Sequence, residues 1–440
     1  MLGWKVLEEG EYRIELPRLS PEEEKLVVEI EERFKKEIRK KKVGSKEECK
    51  KLIQKIISDY AKNNSLQLDI DQKEYLGEFA TAHIYGNKFI EYILKDPEVE
   101  EVSVIGVNKP VYVFLRNKGW KTANACFTEE SAIKEAINKM GSELGRRITL
   151  QKPVLNATLA DGSRMHASLD PVSEGEITIR KFREIPISPK ELCLNKTIDK
   201  RTMALLSLIV QGDNNLLIAG NTASGKTTFL NALFSFVPKN ERVIITEETP
   251  EISIPHEHQV RMVMKEEMGV DLSQLIYNSL RMRPDRTIVG EVRNKKETEA
   301  LFDVLTSGQA RGSFATFHAQ NSEEAIARIK SFGIGNVSSI DYILILRRML
   351  SYKDRKNIEM RRAVELYSTK LGLIGRYDSE KDCFETNISD KLLEIAGSKL
   401  NLNKSETRKE IETREKTIDK TNEEFSRFYK KIQKEFYGLD

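Results

Sequence analysis

Apolar and polar positions change rhythm several times along the chain. Over residues 21–42, Leu26, Val27, Ile30, Phe34 and Ile38 recur at helical spacing among charged neighbours, predicting an amphipathic helix that ends in Arg39-Lys40-Lys41-Lys42. A second helix is expected near 46–63. From about residue 96 the period shortens. Val99, Val102 and Val104, then Val111, Tyr112, Val113 and Phe114, read as strands joined by a turn at Asn108-Lys109-Pro110. A helix over 130–144 and strands within 157–169 and 176–182, around Asp161-Gly162-Ser163, complete a compact α/β domain. Pro186, Pro189 and the less hydrophobic stretch to Lys200 read as a linker.

Beyond residue 200, short apolar runs alternate with helical segments. Strands are expected at 216–219, 243–246, 287–289, 313–317 and 342–346. Such alternation implies a mostly parallel sheet covered by helices, with ligands at the C-terminal ends of its strands. From 371 to 440 the chain is charge-rich. Leu392, Leu393 and Ile395, then Phe425, Phe428, Tyr429, Ile432 and Phe436, predict helices packed on a core.

The 440 residues exceed one ordinary core, and two or three domains are expected. The segments fall as 1–94, charged and mainly helical; 95–185, α/β; 186–200, linker or hinge; 201–370, nucleotide module; and 371–440, helical tail. No apolar run approaches the 18 residues of a membrane span. The start lacks a secretory apolar region, so a cytoplasmic location is expected. Cys49, Cys126, Cys193 and Cys383 are far apart, giving neither a zinc ribbon nor a disulfide framework. Net charge is +3 and aromatics are 7%, so neither a basic groove nor a stacking platform for nucleic acid is indicated.

The chemistry concentrates after residue 215. Gly220, Asn221, Thr222, Ala223, Ser224, Gly225, Lys226, Thr227 and Thr228 follow the apolar run Leu216-Leu217-Ile218-Ala219 and open a helix. They match the phosphate-binding P-loop. Glycine lets the backbone N–H groups close on a triphosphate, and the helix N-terminus adds its dipole. Lys226 is expected on the β- and γ-phosphates and Thr227 on Mg²⁺. Glu247 and Glu248 follow the next strand, where an acid can order water or a Mg²⁺ shell. Gly290-Glu291 ends the strand at 287–289, with Gly290 where many P-loop proteins carry aspartate. His318 ends the strand at 313–317, placed to sense a γ-phosphate.

As an ordered set across about 95–365, these segments resemble the secretion ATPase superfamily: motors of type II secretion, type IV pili, the archaellum and type IV secretion. The P-loop looks like the family's Walker A. Thr246 to Ile252 looks like its Asp box, with Glu248 where aspartate is usual. Ser279 to Arg293 is close to its Walker B segment, Gly290 included, and Thr316-Phe317-His318-Ala319 looks like its His box. Residues 153–164 and 178–182 resemble its second N-terminal domain. Val111 to Arg116 and the helical tail look most like the archaeal branch. Thr306-Ser307-Gly308-Gln309 departs from the family's T-G-H, and the tetracysteine element of many bacterial type II motors is absent.

The resemblance implies a RecA-like P-loop core behind a smaller, PAS-like α/β domain, in a ring of six subunits with ATP between neighbours. Glu291 would position the attacking water and share the metal with Thr227, with Glu247 or Glu248 assisting and His318 reporting the γ-phosphate. Arg146, Arg164, Arg180 and Arg183 are the candidates for an arginine acting across the interface. The implied partner is an integral membrane platform protein, reached by peripheral association at the cytoplasmic face. The competing readings are a DNA-transfer ATPase, a scaffold with a degenerate nucleotide site and, third, a small-molecule kinase.

Overall fold

The computed structural model describes residues 89–439 except 117, 143–144, 183–185, 266–267 and 354–355. Before residue 89 it describes 4–6, 11–14, 26, 29–30, 33, 46–63, 68–69, 72–74 and 76–77. The helix expected over 21–42 therefore lies mostly outside the described residues; Leu26, Glu29, Ile30 and Arg33, which are described, are helical. The helix expected near 46–63 is α1 (Lys46–Asn63). The chain forms two units, residues 1–182 and 183–440.

The first unit is built on one eight-stranded sheet. Its strands are β1 (Trp4–Val6), β2 (Glu11–Ile14), β3 (Val99–Val104), β4 (Pro110–Leu115), β5 (Gly119–Cys126), β6 (Val154–Thr158), β7 (Arg164–Ser168) and β8 (Glu176–Arg180). They lie in the order β1-β2-β5-β4-β3-β8-β7-β6. Alternation puts Val102, Val104, Val111, Val113, Ile177 and Ile179 on one buried face. Helix α2 (Phe89–Lys95) and helix α3 (Glu130–Ser142) cover that face, α3 through Ile133, Ala136 and Ile137. Gly162 at φ +83° makes the β6–β7 turn, where the Asp161 carboxylate accepts from the Ser163 N–H at 2.9 Å. Strand β5 escapes the sequence pattern because its residues, apart from the exposed Trp120, are small or polar and only Ala123 is buried. Its pairing with β4 decides its state, not its propensity.

The second unit starts earlier than its sequence suggests. The stretch expected as a linker forms helix α4 (Pro189–Leu194), capped by Ser188, and Leu192 and Ile198 are buried in the main core. Its prolines read as breakers, but Pro189 stands in the first helical turn, where a missing N–H costs nothing. Helix α5 (Lys200–Gln211) follows, capped by the Asp199 carboxylate.

The central sheet holds β9 (Leu216–Gly220), β10 (Val243–Glu247), β11 (Gln259–Val263), β12 (Arg286–Val292), β13 (Gly312–Phe317), β14 (Tyr342–Lys353), β15 (Lys356–Ser368), β16 (Gly372–Asp378) and β17 (Cys383–Thr386). Its order is β11-β10-β12-β13-β9-β14-β15-β16-β17. Pairing is parallel from β11 to β14 and antiparallel from β14 to β17. Every residue of β9, β10 and β13 is buried, as expected of strands covered on both faces. The helices between them are α6 (Lys226–Leu233), α7 (Leu272–Ser279), α8 (Lys295–Ser307) and α9 (Ser322–Ser331).

The tail is not wholly helical. Residues 372–386 supply β16 and β17, whose glycines and charges hide the strand pattern. Helices α10 (Asp390–Ser398), α11 (Lys404–Lys420) and α12 (Phe425–Tyr437) then pack Leu392, Leu393, Ile411, Ile418, Phe428 and Ile432 into the core shared with α5. No described helix is long and apolar enough to cross a membrane.

Candidate functional site

The site lies at the C-terminal ends of β9, β10, β12 and β13. Gly220 ends β9 beside Leu346 of β14. A Cβ there would overlap the Leu346 carbonyl oxygen and the Ser224 hydroxyl, so only glycine fits. Ala223 (φ +60°) and Gly225 (φ +90°) are left-handed and turn the loop into α6. Lys226 opens that helix and is 92% buried, its Nζ 3.3 Å from the Gly220 carbonyl oxygen, 3.4 Å from that of Asn221 and 3.8 Å from Glu291 Oε1. Burial holds the Lys226 ammonium below its usual pKa, against the pull of Glu291 and Glu251.

Glu291 is the hub. Strand β12 runs past its expected end to Val292, with a register break between Val289 and Val292 that contains Glu291. Glu291 Oε1 lies 2.8 Å from His318 Nε2, and Oε2 lies 2.6 Å from the Arg293 guanidinium. Burial alone would raise the Glu291 pKa; the Arg293 hydrogen bond and charge, with His318 and Lys226, outweigh it and hold the group ionised. Burial and the Lys226 charge hold the His318 imidazole below its usual pKa, against the pull of Glu291. In its Nε2–H form it donates to Glu291. Arg293 also pairs with Glu248.

One expectation needs correcting. Glu247 does not face the loop with Glu248. It is fully buried, and its Oε1 accepts from the N–H groups of Glu251 and Ile252, both at 2.7 Å. Its Cγ lies 3.0 Å from where a Cβ on Gly290 would stand, which explains the glycine in an aspartate's usual place. The carboxylate that meets Thr227 directly is Glu251: the Thr227 hydroxyl donates to Glu251 Oε2 at 3.0 Å. An all-oxygen pair at the head of α6 suits a hard cation such as Mg²⁺, with phosphate and water completing its shell.

Burial, opposed by those two N–H groups and Arg261, pushes the Glu247 carboxyl from 4.5 up to about 7. The folded state thus binds more protons here than the unfolded chain between these values. Stability from this group is greatest in acid and is lost as pH rises from about 4.5 to about 7. Glu247→Gln is expected to flatten that dependence. Denaturant unfolding at pH 5 and pH 7.5 checks it, and equal slopes in parent and variant would contradict it.

Arg146, Arg164 and Arg180 belong to the first unit, and Arg183 lies outside the described residues. Arg146 Nη1 donates to the Asn156 carbonyl at 2.6 Å. Arg164 and Arg180 are direct cross-strand partners on β7 and β8, and Arg180 has Glu101 of β3 opposite it on its other side. Gln309 is exposed beyond the left-handed cap Gly308.

Sequence reasoning missed Glu251, Arg293 and Arg361, whose Nε donates to the Ala223 carbonyl at 3.0 Å. Arg293 had a signal, standing two residues after Glu291 at strand spacing. Glu251 had only its place in the motif, and Arg361 had none.

A family model described as type II/IV secretion system protein matches residues 86–427. An uncharacterized protein of Methanocaldococcus jannaschii is 38% identical over 267 residues, which are 57% of this chain and 37% of that protein. The chain thus spans well under two thirds of this relative's length. The type IV secretion system protein VirB11 of Bartonella quintana is 28% identical over 282 residues, 54% of this chain and 78% of that protein. Among solved structures, the ATPase DotB of Yersinia pseudotuberculosis has a TM-score of 0.48 at 17% identity, covering 76% of this chain and 86% of that one.

Proposed function

The chain belongs to the type II/IV secretion system protein family, and from that premise we propose that it is an ATP-hydrolysing motor subunit of a secretion, pilus or archaellum-type machine. The observation that carries this reading is Glu291, ionised and held between Lys226 and His318 directly beside the P-loop. A nucleotide triphosphate bound by residues 220–228 would bring its terminal phosphate to Lys226. Glu291 then orders the attacking water and takes its proton, as the bond to the bridging oxygen breaks and phosphate leaves. His318 and Arg293 fix both oxygens of that carboxylate, so a shift of either side chain alters the base. Thr227 and Glu251 would hold Mg²⁺, which when bound offsets phosphate charge.

The charge spread over the transferring group calls for a further cation. Arg146, Arg164, Arg180 or Arg183, supplied by a neighbouring subunit of a hexameric ring, would provide it, an effect typically worth about 10³–10⁵ in rate. ATP binding would close the two units about their junction after residue 182, and hydrolysis would let them part. That work would pass to an integral membrane platform protein at the cytoplasmic face of the membrane.

Steady-state phosphate release from purified protein with ATP and Mg²⁺ tests the proposal. Turnover that depends on Mg²⁺ and rises with protein concentration is expected from sites shared between subunits. No turnover in concentrated protein, with or without lipid vesicles, would sink it. Stimulation by single-stranded DNA would redirect the motor to nucleic-acid transfer.

A further inference from the structure

Strand β14 parts from β9 after Leu346, and β15 meets β16 only from Glu365 onward. Between these points, β14 and β15 form a two-stranded ribbon. The ribbon's base is fastened to the P-loop. Asn221 grips the backbone of Arg348, its Oδ1 accepting from the N–H at 2.9 Å and its Nδ2 donating to the carbonyl at 3.3 Å. On the facing strand, the Arg361 Nε–H donates to the Ala223 carbonyl at 3.0 Å, and its Cδ passes 3.6 Å from where a Cβ on Gly225 would stand.

The guanidinium is itself held. Arg361 Nη2 lies 3.2 Å from Glu359 Oε1, and Arg348 Nη2 lies 2.6 Å from Glu359 Oε2. Arg348 and Arg361 are cross-strand partners, so Glu359 ties together two arginines that would otherwise repel. The residue they reach matters. Ala223 is a non-glycine in the left-handed region, a conformation that persists only where its surroundings fix it.

We propose that Arg361 is a positioning residue for nucleotide binding: through the Ala223 carbonyl it holds the P-loop in its phosphate-accepting shape. This rests on reading residues 220–228 as a triphosphate site. An arginine that shaped the loop would act on ground-state affinity. An arginine that touched the transferring phosphoryl group would act on turnover at saturation.

The test uses the full chain, with fluorescent ADP titration and steady-state ATP hydrolysis for the wild type, Arg361→Ala, Arg361→Lys and Glu359→Gln. Arg361→Ala is expected to weaken ADP binding roughly 10-fold, the ordinary worth of one charge-assisted hydrogen bond. The KM for ATP should rise in parallel, with kcat retained within about 3-fold. Glu359→Gln should move affinity the same way by less, roughly 3-fold, because it frees only the far end of the guanidinium. Unchanged ADP affinity in Arg361→Ala, or a lost kcat at unchanged KM, would overturn the proposal. If the alanine variant does not fold, Arg361→Lys decides: it keeps charge and stem but lacks the planar Nε donor, and wild-type affinity there overturns the proposal equally. Wild-type protein that binds no ADP would overturn the triphosphate reading and this inference with it. Wild-type binding beside an unaltered Arg361→Ala removes the inference alone.

Discussion

Glu291→Gln should lower ATP turnover by about 10²–10⁴-fold while ATP binding persists, the range a positioned base contributes. The amide is nearly isosteric and can still accept from His318, 2.8 Å away, so the site keeps its shape. It cannot take a proton from water, and it gives Arg293 only a dipole where a full charge stood. Losing that charge also relieves Lys226, whose Nζ is 3.8 Å from Oε1, and frees it for phosphate. Binding is therefore expected to hold or tighten. Lys226→Ala should do the opposite and weaken binding itself. Single-turnover hydrolysis, set beside fluorescent-nucleotide titration, separates the two. Unchanged turnover in Glu291→Gln would remove this carboxylate from the chemistry, and unchanged affinity in Lys226→Ala would contradict the phosphate assignment.

The second large effect is on stability. Arg286 opens β12 and is fully buried. Its Nε lies 2.5 Å from Glu241 Oε2, and its other nitrogens reach the carbonyls of Val210 at 3.1 Å and Gln211 at 3.3 Å. Gly312 faces it: a Cβ there would lie 2.6 Å from Arg286 Nη1. One guanidinium thus joins β12, β13, the end of α5 and the loop before β10. Arg286→Met strands the Glu241 carboxylate in the interior, with the half-exposed Arg311 at 3.0 Å as its remaining partner. A loss of about 3–5 kcal/mol is expected, as for breaking other buried pairs. Adding Glu241→Leu should recover much of it, because the cost lies in the orphaned charge. Denaturant unfolding followed by far-UV circular dichroism reads both variants. A single variant as stable as the parent would show that the pair carries no such weight.

What the sequence disclosed was what is local. The P-loop, the strands flanking it and His318 are each contiguous, and a buried parallel strand announces itself as an unbroken apolar run. Arg293 was within reach through strand spacing. Glu251 was not, because past Glu247 the chain leaves regular structure and no period says where a side chain points. Glu247 looked like Glu248 for the same reason, and only burial separates them. Arg361 stands 138 residues from Ala223, and the register of β14 on β15 alone brings it there. The helix within 186–200 and the strands β16 and β17 escape the sequence pattern for one reason. Proline, glycine and charge commonly interrupt regular structure, whereas here Pro189 starts a helix and Gly375 sits in a strand against Phe384.

The contact between Gly220 and Leu346 bears on how this region can be re-engineered. The motif's first glycine is imposed by the next strand's backbone before any phosphate arrives. A nucleotide loop transplanted from another enzyme would therefore have to travel with its own neighbouring strand, and chimaeras spliced at the motif's edges alone would inherit a steric mismatch.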